Sequence, residues 1–118
     1  MKCLNQAHGV NWSLYQGDCC EVTKGLPDNS VHYSIFSPPF ESLYTYSNSE
    51  RDMGNCANSK QFAKHFRFLI RELYRIMMPG RSVSVHCMDL PKSKTRDGII
   101  GLRDFPGLLI RAFERAGF

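Results

Sequence analysis

Apolar residues recur with helical spacing in the middle of the chain. Separated by four, three, four and three positions, they are Phe62, Phe66, Leu69, Leu73 and Ile76. This spacing places them on one face of a helix, with Asn58 or Ser59 as its N-cap and Pro79-Gly80 as its end. We predict that this stripe packs into a core.

Two further segments have helical features. The segment 104–117 carries Pro106 in its first turn and Gly117 at its end, as helices often do. The segment 21–26 is long enough for one or two helical turns and is closed by the turn-forming residues 27–29. We predict helices in both places.

Segments rich in β-branched and aromatic residues predict strands. They are 30–36 and 82–88, preceded by a shorter extended segment at 12–15. Strands alternate with helices here, and parallel neighbours need a crossover of about a dozen residues or more. The predicted fold class is therefore α/β, a parallel sheet with flanking helices. A further strand would be due after Gly117, so we expect residues 1–118 to form a single, partial domain.

The composition is that of a folded protein. The chain has 118 residues, of which 42% are hydrophobic and 22% charged, which suits one domain or part of one. No run approaches the ~20 apolar residues that cross a bilayer, and the first residues lack the apolar stretch of a secretory signal. We therefore expect a cytoplasmic protein with no membrane partner.

The net charge and the cysteine content exclude few kinds of partner or site. The net charge of +4 permits a polyanionic partner without requiring one. The five cysteines are odd in number and include no C-x-x-C pair, which favours reduced thiols over a disulfide framework or a zinc site. No metal is expected.

The most informative segment is Ser37-Pro38-Pro39-Phe40, directly after the predicted strand 30–36. In open α/β sheets, ligands bind outside the carboxyl ends of the strands. The two prolines fix their own φ angles, so the neighbouring carbonyl groups and the aromatic ring are held in place at little entropic cost. A preorganised ligand site is predicted here, whereas a simple strand-ending turn is the alternative.

The segment GDCCEVTKGLPDNSVHYSIFSPPF resembles the region around the catalytic motif of the DNA amino-methyltransferases, which modify the N4 of cytosine or the N6 of adenine. The motif of that family reads Asp, Asn or Ser, then Pro-Pro, then Tyr or Phe. The likeness continues through the central helix and the turn Met78-Pro79-Gly80-Arg81 into 82–88. It therefore covers most of the chain and implies a partial Rossmann-like fold, an incomplete methyltransferase domain.

The resemblance implies a chemistry that uses S-adenosylmethionine as cofactor and double-stranded DNA as partner. The Ser37 hydroxyl and the Pro38 carbonyl would accept the two N–H groups of the base amine, which stabilises charge developing on nitrogen. Phe40 would stack on the flipped base. A serine at the first position is more usual in the cytosine branch of the family, which favours N4 of cytosine.

Other candidate residues are weaker. Asp18, after Gly17, is a candidate cofactor contact, with a solvated turn carboxylate as the alternative. Candidate DNA contacts lie in the polar loop 40–58 and in the basic loop 91–98, where ordinary surface loops are the alternative. They are Tyr44, Tyr46, Arg51, Lys92, Lys94 and Arg96. His86 is interpreted as a structural histidine.

The chain also departs from the family. The Phe-x-Gly-x-Gly loop that binds the cofactor is absent, and Gly98-Ile99-Ile100-Gly101 has a different spacing. We therefore expect a catalytic-half fragment of prophage or restriction-modification type, with little activity alone, whose cofactor loop comes from a missing C-terminal half or a second chain. The alternatives are a non-catalytic nucleic-acid-binding α/β module and a small structural or interaction domain.

Overall fold

The computed structural model describes residues 1–41, 47–56 and 58–118, which form a mixed α/β structure. Its elements are β1 (Asn5–His8), β2 (Ser13–Gln16), α1 (Cys19–Lys24), β3 (Val31–Phe36), a 3-10 turn (Met53–Asn55), α2 (Ser59–Ile76), β4 (Met77–Val85), β5 (Leu90–Lys92), α3 (Lys94–Asp97), β6 (Gly101–Arg103) and α4 (Phe105–Ala116). None of the described helices is long and apolar enough to cross a membrane.

Strands β3 and β4 form a parallel pair, and α2 is the crossover between them. The Asn58 side chain accepts a hydrogen bond from the Gln61 N–H and so caps α2, as the sequence predicts. Helix α2 ends at Ile76, and Phe36 lies opposite Val85 at the carboxyl end of the sheet. The predicted α/β class with a parallel sheet and flanking helices is confirmed.

The strand after α2 begins earlier than predicted, because Pro79-Gly80 lies inside β4 rather than before it. Val31 pairs with Met77 and Tyr33 pairs with Ser82, so β4 advances five residues while β3 advances two. This irregularity accommodates a proline that has no N–H to donate. Gly80 adopts a φ of 75°, which favours glycine.

The segment 12–15 is largely extended, as predicted, but it does not join the parallel sheet. Strand β2 pairs with β1 in an antiparallel hairpin instead, with Asn5 opposite Gln16. Nothing in the residue types of β1 indicates a strand, since Asn-Gln-Ala-His contains no β-branched residue and no aromatic ring apart from the imidazole. Within the described residues, the parallel sheet therefore has two strands.

The basic segment 91–98, predicted as a loop, also contains regular structure. Strands β5 and β6 pair antiparallel, and the short helix α3 lies between them. Ser93 caps α3, and Gly98 ends it at a φ of 79°. These strands have three residues each, too few to produce a recognisable alternation of apolar and polar positions.

The core lies between α2, α4 and the covered face of the sheet. Half of its fully buried side chains belong to the predicted α2 stripe; the full set is Phe62, Phe66, Phe105, Ile70, Ile76 and Leu90. Phe62 stacks on Phe66 and meets Phe105 edge to face. Helix α4 contributes the buried Leu109. The stripe predicted as core is confirmed.

The opposite face of the sheet is uncovered. Tyr33 and Ile35 are 54% and 70% exposed, although parallel sheets are normally covered on both faces. A compact protein of this mass exposes roughly 6500 Å², whereas this chain exposes 8217 Å². The described structure thus leaves an apolar sheet face open to solvent.

Candidate active site

The segment Ser37-Pro38-Pro39-Phe40 leaves the carboxyl end of β3, where the sequence predicts it. The backbone N–H of His86 donates to the carbonyl of Phe36 at 2.9 Å, one residue beyond the last pair of the β3–β4 ladder. This bond fixes the start of the segment beside the residue that follows β4. The segment therefore lies at the edge where α/β sheets bind ligands.

Ser37 and His86 contact each other at this edge. The Ser37 hydroxyl donates to the His86 carbonyl at 3.1 Å, and Ser37 Oγ lies 3.2 Å from His86 Nδ1. Both residues are exposed. The sequence predicts only a structural role for His86. The residue pattern of one strand does not show which residues at the end of the neighbouring strand contact it.

Pro38 is buried and Phe40 is half-buried. The ring of Phe40 lies 5.9 Å from that of His86, with the planes inclined by 38°, and 6.0 Å from that of Phe105 in an edge-to-face contact. These contacts fix the ring between the sheet edge and the first turn of α4. The aromatic residue of the segment is thereby attached to the core.

Glu41, directly after this segment, is a residue that sequence reasoning missed. Its side chain is 5% exposed and its carboxylate lies 2.7 Å from Nη1 of Arg103, at the end of β6. The same nitrogen donates to Ser59 Oγ at 2.6 Å. Glu41 has a φ of 51°, and its N–H donates to the Pro39 carbonyl. Because Glu41 and Arg103 are 62 positions apart, no local sequence pattern predicts that they form an ion pair.

Asp18, the candidate cofactor contact, caps α1. Its Oδ1 accepts from the N–H groups of Cys20 and Glu21 at 2.8 and 3.4 Å, and its Oδ2 lies 2.8 Å from Nε of Arg51. Arg51 also contacts Glu21 at 3.0 Å. The Arg51 hydrogen bond lowers the pKa of Glu21, with a smaller contribution from Lys24.

Next to this ion pair, the thiols of Cys19 and Cys20 form a hydrogen bond. It lowers the pKa of Cys19 to about 7 and raises the pKa of Cys20, because one thiol donates to the thiolate of the other. The donor atoms of Asp18 and both cysteines lie within 4.8 Å of one another. The carboxylate is already held by the helix cap and by Arg51.

The candidate DNA contacts are dispersed. Lys92 ends β5, whereas Lys94 and Arg96 lie in α3. Arg96 is held by Asp97 at 3.1 Å and by the Pro91 carbonyl at 2.8 Å, and neither lysine has an acidic partner within the part of the chain that the structure describes. Their role in DNA binding, like that of Arg51, stays a prediction.

Tyr44 and Tyr46 lie outside the described residues. Among the described residues, an open cleft of about 490 Å³ is lined by Asn48, Ser49, Glu50, Gln61 and His65. None of these belongs to the Ser-Pro-Pro-Phe segment, so the cleft is separate from the candidate active site.

Comparison with known proteins finds sequence relatives and similar solved structures. No protein-family model matches the chain. It is 26% identical over 81 residues to the Type II methyltransferase M.SfiI of Streptomyces fimbriatus and 29% identical over 82 residues to the Type II methyltransferase M.BamHI of Bacillus amyloliquefaciens. These matches cover 69% and 70% of this chain but only 19% and 18% of the relatives.

Among solved structures, the chain is similar to a protein of Thermus thermophilus assigned as a DNA modification methylase. Its complex with S-adenosyl-L-methionine gives a TM-score of 0.66 at 24% identity, over 86% of this chain and 38% of that one. A selenomethionine form gives a TM-score of 0.65 at 20% identity, over 37% of its length. The α/β fold of this chain therefore matches part of the larger fold of the Thermus thermophilus protein.

Proposed function

We propose that this chain, which is similar to two Type II methyltransferases over part of their length, forms the base-binding region of an enzyme that methylates exocyclic amines in DNA. The observation that carries the proposal is the position of Ser37-Pro38-Pro39-Phe40 at the carboxyl end of β3, with an exposed Ser37 hydroxyl. The names of the relatives also favour a restriction-modification context, while a prophage origin stays a prediction.

Ser37 and Pro38 are proposed to bind the amine. An exocyclic amine is a poor nucleophile because its lone pair is delocalised into the ring. When its two N–H groups donate to the Ser37 hydroxyl oxygen and the Pro38 carbonyl, positive charge that develops on nitrogen during methyl transfer is stabilised. Among the described residues, no hydrogen bond ends on the Pro38 carbonyl.

Phe40 is proposed to contact the face of the target base, which must leave the duplex to reach the site. The ring is suited to this role because His86 and Phe105 fix its position. A ring fixed before binding loses little conformational entropy when it stacks. A serine at the first position of the motif favours cytosine N4 over adenine N6 as the target.

The proposed cofactor is S-adenosylmethionine, which the similar Thermus thermophilus structure contains and which supplies the methyl group as an electrophilic sulfonium when bound. The described residues fit only part of its site. Asp18 is the candidate contact, yet both its oxygens are engaged by the α1 cap and by Arg51. Gly98 and Gly101 flank the start of β6 and do not form a loop after a parallel strand.

We therefore propose that the remaining cofactor contacts come from sequence that this chain does not contain, in a longer chain or a second one. The uncovered face of β3 and β4 around Tyr33 and Ile35 is a surface that such a segment could cover. Activity of the 118 residues alone is expected to be low.

One pair of variants separates chemistry from binding. Pro39→Ala frees the backbone of the motif, so methyl transfer to DNA should fall at least roughly tenfold while salt-dependent DNA affinity stays unchanged. Pro27→Ala, in an exposed turn before β3, is the matched control and should retain transfer.

A joint change of Lys92 and Lys94 to Gln should instead weaken DNA binding and reduce its salt dependence. If Pro39→Ala and Pro27→Ala transfer methyl groups equally well, the proposed site is wrong.

A further inference from the structure

We propose that His86 is a positioning residue, which orients the Ser37 hydroxyl so that one oxygen lone pair points to the incoming base amine. The inference rests on the proposed function of Ser37 as an amine acceptor. It begins from the contacts between the two residues at the ends of β3 and β4.

A serine hydroxyl has one hydrogen to donate and two lone pairs to accept with. Two acceptors of His86 lie within reach of that hydrogen, namely its backbone carbonyl at 3.1 Å and its ring Nδ1 at 3.2 Å. A carbonyl can only accept, so the hydroxyl hydrogen is directed to it. Nδ1 must then carry its own proton and donate to Ser37 Oγ, because two acceptors facing each other would repel.

This pair of bonds forms a closed ring of two hydrogen bonds. One lone pair of Ser37 Oγ is used by Nδ1–H, and the hydroxyl hydrogen is used by the His86 carbonyl. The second lone pair is left for a ligand, and its direction is set by the other two bonds. A free serine would instead rotate and lose that orientation each time it binds an amine.

The backbone and ring of His86 make the arrangement rigid. Its N–H is bonded to the Phe36 carbonyl at 2.9 Å, which fixes the backbone directly opposite the start of the motif. Its ring faces Phe40 at 5.9 Å. One residue thus contacts both the polar and the aromatic end of the Ser-Pro-Pro-Phe segment.

The first test is spectroscopic and does not need activity. With the histidine rings labelled with ¹⁵N, the neutral ring of His86 should carry its proton on Nδ1, the less common form in free histidine. Ser37→Ala should shift the ring toward the Nε2–H form, whereas Ser13→Ala, at the hydroxyl that contacts His8 at 2.9 Å, should leave His86 unchanged. A His86 ring protonated on Nε2 and insensitive to Ser37→Ala would overturn the proposal.

The second test is a double-mutant cycle on methyl transfer. His86→Phe keeps a ring beside Phe40 but removes the donor, so kcat/KM should fall roughly 3- to 10-fold, the effect of losing one hydrogen bond. His86→Asn places an amide N–H near the position of Nδ1 and should restore part of the loss. In the Ser37→Ala background, His86→Phe should have no further effect.

A purely structural His86 would give the same loss in both backgrounds, which would contradict a positioning role. If the ring form is as expected but no variant or wild-type sample transfers a methyl group, the proposed function is wrong and the Ser37–His86 pair serves another ligand or none. If transfer occurs without coupling between the two residues, only the positioning role is wrong.

Discussion

The carboxylate of Glu41 lies 2.7 Å from the guanidinium group of Arg103, and this pair joins the residue after the Ser-Pro-Pro-Phe segment to the end of β6. The Glu41 side chain is 5% exposed and that of Arg103 is 27% exposed. Among the described residues, Nε of Arg103 is buried without a hydrogen-bond partner. Arg103 therefore depends on Glu41 and Ser59 for its contacts.

Replacing Glu41 by Gln should destabilise the chain by about 2 to 3 kcal/mol, because it leaves the Arg103 charge poorly compensated in a largely buried setting. Urea unfolding followed by circular dichroism measures this. Glu114→Gln, on the exposed side of α4, is the control and should change stability by less than about 0.5 kcal/mol. Equal unfolding midpoints for the two variants would show that the pair contributes nothing.

Arg75 joins α1, the following turn and α2. Its guanidinium donates to the carbonyls of Leu26 and Thr23 at 2.9 and 3.0 Å and contacts Glu72 at 2.8 Å. Arg75→Met should cost about 2 kcal/mol, since two carbonyl groups lose their donor. Arg71→Met, on the exposed face of the same helix, should be nearly neutral in the same urea titration. If both variants lose the same unfolding free energy, the effect comes from the charge of the helix rather than from these hydrogen bonds.

The ion pair of Glu21 with Arg51 should stabilise the fold near neutral pH but not in acid. The Arg51 hydrogen bond lowers its pKa from the usual 4.5, so the stabilisation is present above that value and disappears as the pH falls through the lowered one. Unfolding midpoints of the wild type and Glu21→Gln, measured from about pH 7 to about pH 3, should differ near neutral pH and converge in acid. A gap that stays constant across this range would rule out this ion pair as its source.

Cys19 should be a reactive thiol near neutral pH. The hydrogen bond from Cys20 lowers the pKa of Cys19 to about 7, and the thiolate is the nucleophilic form. Iodoacetamide labelling, quantified by peptide mass spectrometry, should increase for Cys19 with a midpoint near pH 7. Cys20→Ala should move that midpoint upward, and no change on this substitution would mean that the hydrogen bond is not the cause.

Local patterns in the sequence predict a large part of the fold. Helix α2 and its Asn58 cap, strand β3 and helix α4 all follow from spacing, β-branched content and caps. Strand β1 was missed because its polar residues are exposed on both faces, and the start of β4 was misplaced because pairing with Val31 overrides Pro79-Gly80. Whether these residues form strands depends on which strand they pair with, and a single sequence does not show this pairing.

The candidate site was predicted in part. A Ser-Pro-Pro-Phe segment after a strand is visible in the sequence, and the structure locates it at the carboxyl edge of the sheet. The contacts of Ser37 with His86 and of Glu41 with Arg103 were not predictable, since they join residues 49 and 62 positions apart. Asp18 and Arg51 were each considered as ligand contacts, yet the structure pairs them with each other.

The most direct test of the central claim is a methylation measurement under single-turnover conditions. The folded chain, in excess over DNA target sites, would be incubated with S-adenosylmethionine, and the digested nucleosides would be analysed by mass spectrometry. We predict slow formation of N4-methylcytosine that is strongly reduced, but still measurable, in Ser37→Ala and retained in Ser13→Ala. The absence of any methylated amine from protein shown to be folded, or transfer that is unchanged by Ser37→Ala, would contradict the proposal that this segment binds the base amine.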